Sequence, residues 1–299
     1  MNEVKIYSFS ESEKKELQRV LLSIYCDVAE VCKKYELKML MGGGSCLGAV
    51  RHKGFIPWDD DIDLIMPRND YNKFLEVFDK ELKEKYHLVD MFKTHSGQKT
   101  FAKIMKKNTT FIETVTNVNL SPAGIFVDIF PLEFLPDNRF LRTIFLFFAN
   151  IFTKIISIIT GYQLSSNPNS KCRKIAKYRL VGWLTSFMSA YKWNEFYTVF
   201  ISSCKGEKYC FVPSGGHGVY KELLSVDTYF PLSEGIFEGV KVNIPNNCDK
   251  YLKNLYGNYM ELPPLDKRQG EHPVVGFSLC NSAAQIKQSE VDSETTLTP

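Results

Sequence analysis

The chain has 299 residues, 44% of them hydrophobic, which is enough to bury a full core in one large domain or two small ones. Its eight cysteines form no Cys-x-x-Cys pair, which argues against a zinc domain, and an N-terminus without an apolar core argues against a secretory signal peptide. The net charge is +3, but residues 138–194 hold nine Lys or Arg and no Asp or Glu, which leaves 28 basic against 34 acidic residues (−6) elsewhere. We therefore predict a cytoplasmic protein with reduced thiols and an acidic body, whose basic segment contacts something anionic; no nucleic-acid partner is expected.

The first predicted elements lead into a run of glycines. Ser10, with a Glu three residues later, has the spacing of a capping box, and the apolar stripe after it predicts an amphipathic helix that ends near Tyr35. Leu37–Met41 then predicts a short strand. It runs into Gly42-Gly43-Gly44, after which Ser45 is expected to cap a second helix.

A second strand and a second amphipathic helix follow. Ile62–Met66 predicts a strand closed by a proline, and Asn69 or Asp70 is expected to cap the next helix. This mixture of strands and helices predicts an α+β core with a mixed sheet and flanking helices. Weaker strand patterns occur at His87–Phe92, Thr100–Met105 and Ile125–Phe130.

The character of the chain changes after residue 138. Phe140–Ile159 is almost entirely apolar and approaches the length that spans a bilayer, but Lys154 lies well inside it. Lys171–Tyr191 predicts a basic helical segment. Two alternatives remain open for residues 140–191: a buried helical hairpin, or an element that lies in the interface of an anionic membrane.

The last third returns to short elements. Tyr209–Val212 and Ile236–Ile244 predict strands, Cys248–Tyr256 predicts a helix that ends at Gly257, and the polar tail from Ser282 is expected to be disordered. The predicted organisation is a catalytic core over 1–137, a helical basic and apolar insert over 138–205, a segment that completes the catalytic domain over 206–281, and a tail over 282–299.

The residues with the clearest chemistry are the glycines and a run of acids shortly after them. Backbone N–H groups of Gly43 and Gly44 can approach phosphate oxygens closely, and Ser45 adds a hydroxyl donor. Residues two apart in a strand face the same side, so Asp61 and Asp63 present both carboxylates to one point. We therefore predict that Gly43, Gly44 and Ser45 contact a phosphate, with the carboxylates of Asp61 and Asp63 beside them.

A metal ion explains this grouping of carboxylates. Asp61 and Asp63 repel each other unless a cation lies between them, and oxygen ligands favour Mg²⁺ or Mn²⁺. Asp128 is a single carboxylate in the apolar segment Phe126–Phe130 and needs a partner, which a shared metal would supply. The hypothesis is a phosphoryl-transfer site with Asp61, Asp63 and Asp128 as catalytic metal ligands; an acidic turn or a calcium loop is the alternative.

The whole pattern resembles the LicD family of phosphorylcholine transferases, which are related to fukutin-type sugar phosphotransferases. The resemblance covers the stretch Gly44–Leu64 with its Asp59-Asp60-Asp61-Ile62-Asp63 run, Phe126–Leu132, and Phe237–Gly239, and it continues to His272. It implies a nucleotidyltransferase-type fold, and transfer of a phospho-alcohol from a CDP-activated donor to a sugar hydroxyl with release of CMP.

The resemblance also implies roles for individual residues. Asp61 and Asp63 match the metal-binding pair and Asp128 the third carboxylate. Arg51, Arg268 and His272 match family positions; we expect contact with the donor phosphates, with structural pairing to nearby acids as the alternative. Lys53 and Trp58 complete the candidate substrate-binding residues.

The sequence indicates the identity of the donor less specifically than it indicates the type of reaction. A choline-specific enzyme is expected to carry aromatic side chains around the quaternary ammonium, for which Phe55, Trp58, Tyr256 and Tyr259 are candidates. CDP-glycerol and CDP-ribitol remain alternative donors. A non-catalytic nucleotide- or membrane-binding scaffold and a glycosyltransferase with a D-x-D motif are alternatives of other kinds. A lipid-linked glycan acceptor would place the enzyme on the inner face of the cell membrane, through residues 140–191.

Overall fold

The computed structural model describes residues 6–90, 101–113, 123–159, 181–268, 270 and 272–280. The predicted tail from Ser282 and residues 171–180 of the predicted basic helix Lys171–Tyr191 lie outside these residues. The helices and strands are α1 (Glu11–Lys34), β1 (Leu40–Met41), α2 (Gly43–Arg51), β2 (Asp63–Pro67), α3 (Arg68–Glu81), β3 (Tyr86–Val89), β4 (Ala102–Lys106), β5 (Thr110–Glu113), β6 (Phe126–Leu135), α4 (Arg139–Ile159), α5 (Ala190–Ser202), β7 (Tyr209–Phe211), β8 (Leu224–Ser225), α6 (Val226–Tyr229), β9 (Ser233–Phe237), β10 (Val240–Ile244), α7 (Cys248–Tyr256), a short 3₁₀ helix (Leu265–Lys267) and β11 (Val274–Ser278).

One mixed sheet organises the molecule. Its strands follow the order β1–β2–β6–β4–β3, and β7 pairs with the second half of β6 and then with β8. β2 and β6 are parallel, whereas β1 with β2 and β4 with β6 are antiparallel. Because helices α1, α2 and α3 accompany this sheet, the predicted α+β class is confirmed. The boundaries of the predicted domains stay predictions.

Several local predictions are confirmed. Ser10 caps α1, and its side chain and that of Glu13 form the expected reciprocal capping box. The predicted strand Ile236–Ile244 is a hairpin of β9 and β10 that turns at Glu238 and Gly239, both with positive φ. Gly257, also with positive φ, ends α7.

Two predicted helix starts are wrong. α2 begins at Gly43 after Gly42, so Ser45 lies inside the helix instead of capping it. α3 begins at Arg68 directly after Pro67, and neither Asn69 nor Asp70 caps it. In both cases the preceding strand runs straight into the helix, so the chain turns earlier than the side-chain caps indicated.

The apolar helix α4 is neither fully buried nor isolated. Its inner face joins α5 in a second hydrophobic cluster, where Phe145 stacks on Phe200 at 4.5 Å between ring centres and Tyr197 is fully buried. Its outer face leaves Phe140 71% and Phe147 54% exposed. Among the described residues, α4 is long and apolar enough to cross a membrane, judged by length and composition alone. Core helices of soluble proteins also meet these two criteria.

Candidate active site

The glycine turn lies against the start of β2. The N–H of Gly42 donates to the carbonyl of Asp63, and the N–H of Gly43 donates to the buried hydroxyl of Tyr251 at 2.9 Å. Gly43 has φ of +42°, and a Cβ there would meet Asp63 Oδ2 at 2.9 Å, so glycine is required for this close approach. The turn therefore presents backbone atoms, without side chains, next to a carboxylate.

Ser45 holds the two elements of this turn together. Its hydroxyl is buried and accepts a hydrogen bond from the N–H of Asp63 at 2.9 Å. The hydroxyl thus positions the first residue of β2. Contact of Ser45 with a phosphate stays a prediction.

Strand register aligns charged residues across the middle of the sheet. Asp63 on β2 lies beside Asp128 on β6, and Asp128 lies opposite Lys103 on β4. Side chains paired in this way point to the same face, and the next such pair along the two strands is Ile65 with Phe130. Asp63, Ile65 and Phe130 line the same cleft, so Asp128 points to the cleft side of the sheet; its role as a metal ligand stays a prediction.

Lys103 supplies Asp128 with a partner inside the protein. This lysine is 2% exposed, and its Nζ lies 3.1 Å from both carboxylate oxygens of Asp128 and 3.5 Å from Glu113 Oε2. Asp128 therefore has an ion-pair partner inside the protein, and metal binding by Asp128 stays a prediction. Asp128 Oδ1 nevertheless makes no hydrogen bond to any described residue.

The acidic run after Trp58 is folded around His272. Nδ1 of His272 lies 2.9 Å from Asp60 Oδ1, and its Nε2 lies 3.9 Å from Asp61 Oδ2 and 3.5 Å from Glu113 Oε1. Burial by itself lowers the pKa of His272, but the hydrogen bond to Asp60 and the three negative charges outweigh burial and raise this pKa to about 9. His272 is thus a charged partner of the acids, the alternative role considered for it, and phosphate contact stays a prediction.

The chemistry of this group fits a divalent cation. Asp59, Asp60 and Asp61 can each offer one carboxylate oxygen within 4.8 Å of the others. Such a set of hard oxygen donors suits Mg²⁺ or Mn²⁺. Only Asp61 belongs both to this cluster and to the predicted metal-binding residues.

Arg51 and Arg268, which were predicted to bind the donor phosphates, lie in a separate cluster beside residues 259–263. Arg51 donates to the carbonyls of Tyr259 and Glu261, and Arg268 donates to the carbonyl of Pro263. The Arg268 guanidinium also lies 5.5 Å from the centre of the Trp58 ring. Burial and the nearby Arg268 lower the pKa of Arg51.

These side chains are not part of the cleft wall. Lys53 adopts a positive φ, and its carbonyl accepts from the N–H of Glu238. Among the described residues that line the cleft, neither Lys53, Trp58, Arg51 nor Arg268 is present. Substrate contact by these four residues stays a prediction.

A loop between β7 and β8 completes the cleft, and the sequence patterns did not identify it. The loop carries Gly215-Gly216-His217 and the buried Glu222, and its glycine cluster around a histidine was the available sign. Burial raises the pKa of Glu222 to about 7, although the backbone N–H of His217 hydrogen-bonds to its carboxylate. Together these residues close a space of about 200 Å³, lined by Gly42, Gly43, Gly44, Asp59, Asp61, Asp63, Ile65, Phe130, Val212, Gly215, Gly216, His217, Glu222, Tyr251 and Tyr256.

Comparison with known proteins agrees with this geometry. Residues 36–149 match the model of the LicD/FKTN/FKRP nucleotidyltransferase domain, a range that contains the glycine turn, the acidic run and Asp128. The chain is 27% identical to the lipopolysaccharide cholinephosphotransferase LicD of Haemophilus influenzae, over 86% of this chain and 95% of that protein. It is also 34% identical to an uncharacterised protein of Rickettsia typhi over 26% of this chain and 24% of that one. The chain thus carries a LicD-family nucleotidyltransferase domain over residues 36–149, and it is similar to a cholinephosphotransferase over most of its length.

Proposed function

We propose that the protein transfers phosphocholine from CDP-choline to a hydroxyl group of a cell-surface glycan, with Mg²⁺ and release of CMP. The observation that carries this proposal is the joining of the Gly42–Gly44 turn and three carboxylates, Asp59, Asp61 and Asp63, in one cleft. The similarity to a cholinephosphotransferase that acts on lipopolysaccharide, over nearly the full length of both chains, supports choline and a glycan as the two substrates.

In this proposal, different residues of the site have different roles in the transfer. The backbone of the glycine turn offers close approach to the donor diphosphate, because no side chain intervenes. Asp61 and Asp63, with Asp128, would hold the Mg²⁺, which supplies charge compensation for the diphosphate and the departing CMP. Asp128, which lies beside Asp63 on the neighbouring strand, accepts the proton of the attacking hydroxyl in this proposal.

The donor is tested with the purified full-length chain. CMP release is measured with CDP-choline, CDP-glycerol and CDP-ribitol, each with a glycan acceptor and Mg²⁺. We expect release from CDP-choline only, and a loss of at least about a hundredfold when EDTA removes the metal. CMP release from CDP-glycerol alone, or from CDP-ribitol alone, would identify that compound as the donor in place of CDP-choline. CMP release without metal would overturn the mechanism.

A second part of the proposal concerns location. The protein binds the inner face of the cell membrane through residues 140–191, where a lipid-linked glycan acceptor is accessible. The outer face of α4 supports this location, since Phe140, Phe147 and Phe148 are 71%, 54% and 44% exposed. The absence of Asp and Glu from residues 138–194 matches an anionic surface.

Sedimentation with vesicles tests the location. The triple variant Phe140→Ser/Phe147→Ser/Phe148→Ser is expected to bind phosphatidylglycerol-containing vesicles at least about tenfold more weakly than the wild type, because it removes exposed apolar area. Ile6→Ser/Leu265→Ser, which replaces two exposed apolar residues elsewhere, is the matched control and is expected to bind normally. A wild-type chain that stays in the supernatant, or a triple variant that sediments equally, contradicts membrane binding.

A further inference from the structure

The cleft contains a buried carboxylate that the phosphate chemistry does not use. Glu222 is 3% exposed and contributes to the cleft wall. Among the described residues no Lys or Arg side chain forms an ion pair with it, and no Lys or Arg lines the cleft. A carboxylate buried without a cation is unfavourable, or it takes up a proton. The position therefore favours a ligand that brings a positive charge.

The loop around Glu222 is built to bring this carboxylate to the cleft. A Cβ at Gly215 would meet Glu222 Oε1 at 2.2 Å, so only glycine allows the carboxylate to pack there. The backbone N–H of His217 also hydrogen-bonds to the carboxylate. Both contacts restrain the side chain, and neither supplies a positive charge.

Aromatic rings lie in the same wall. Tyr256 and Phe130 line the cleft together with Glu222, and the edge of the His217 ring meets Tyr256 at 4.8 Å between ring centres. Of the four aromatic residues that the sequence offered for a choline cage, Tyr256 is the one that lines the cleft within the described part of the chain, whereas Phe55 packs on Phe237 in the core. A quaternary ammonium group has no N–H to donate and is bound by aromatic faces and a nearby negative charge.

We propose that Glu222, Tyr256 and Phe130 form the subsite for the quaternary ammonium of the donor alcohol and make the enzyme select choline over uncharged alcohols. This inference rests on the proposed CDP-choline donor. It assigns selection of the alcohol to Glu222 in the loop between β7 and β8 and to rings on β6 and α7, none of which is a predicted metal ligand.

Calorimetry on the full chain with Mg²⁺ tests the subsite, with CDP-choline, CDP-glycerol and CMP as probes. The variant Glu222→Gln keeps the shape and removes the charge. It is expected to weaken CDP-choline binding by roughly thirtyfold, since a desolvated charge pair is lost, while CDP-glycerol and CMP change by less than about threefold. An equal loss for all three probes, or no loss for CDP-choline, overturns the subsite.

Tyr256 provides a second pair of variants that does not depend on the folding of Glu222→Gln. Tyr256→Phe keeps the ring and is expected to bind CDP-choline within about threefold of the wild type, whereas Tyr256→Leu is expected to lose about tenfold. Equal affinity of the two variants for CDP-choline would show that the Tyr256 ring does not contribute to the subsite. Failure of the donor proposal looks different, because the wild type itself would then bind CMP but not CDP-choline.

Discussion

Replacing Asp61 and Asp63 together with Asn is expected to lower the rate of CMP release by about a thousandfold or more. Both side chains line the cleft next to the glycine turn, and the amide has the same shape without the negative charge that a divalent cation requires. The rate is measured with CDP-choline and a glycan acceptor over a range of Mg²⁺ concentrations. Calorimetry on the same variant is expected to show that CDP-choline binding no longer responds to Mg²⁺.

The fold should survive this change, which keeps the result interpretable. The contacts that hold β2 to the glycine turn use the backbone N–H and carbonyl of Asp63, and both remain in the variant. Asp249→Asn is the matched control, because Asp249 is an exposed partner of Lys253 on α7 and is not part of the cleft wall. A double variant that retains more than a tenth of wild-type activity would show that these carboxylates do not carry the reaction.

Replacing Lys103 with Met is expected to reduce the free energy of unfolding by about 3–5 kcal/mol, because the buried carboxylate of Asp128 then loses its positively charged partner. Lys103 is 2% exposed and lies within 3.1 Å of the oxygens of Asp128. Met fills a similar volume, so the cost reports lost charge more than lost packing. Urea unfolding of both proteins at neutral pH, without added metal, measures the difference.

Two further variants separate charge from packing. Lys103→Met/Asp128→Asn is expected to recover a large part of the lost stability, because the uncompensated carboxylate is gone. Lys241→Met breaks the exposed pair with Glu234 and is expected to cost less than about 1 kcal/mol. A Lys103→Met protein as stable as the wild type would mean that Lys103 does not compensate Asp128.

The sequence predicted the parts of the site that depend on local structure. Glycines after a strand were enough to indicate the turn that lies against Asp63. Asp61 lines the same cleft as Asp63, but it lies before the start of β2, so the predicted alternation along a strand does not explain its position. The capping box at Ser10 was equally local, since both of its hydrogen bonds lie within one turn of helix. The start of α2 was missed because Gly43 turns the chain against a carboxylate that comes twenty residues later.

Residues that meet across strands were outside the reach of these patterns. Lys103 lies in a segment that alternates like many solvent-facing strands, and only the antiparallel register of β4 with β6 places it against Asp128. His272 reaches Asp60 across 212 positions of sequence, just before β11, a strand that the patterns did not predict and that pairs with β5.

The sequence by itself therefore determined the glycine turn, the run of acids that follows it and their resemblance to the LicD family, because those properties depend on neighbours along the chain. Tertiary structure alone decided which cation compensates Asp128, which acids surround His272, and that Glu222 lies in the cleft wall with Tyr256. The reason is that burial and strand register are set by packing between distant segments, and both control where a charge needs a partner.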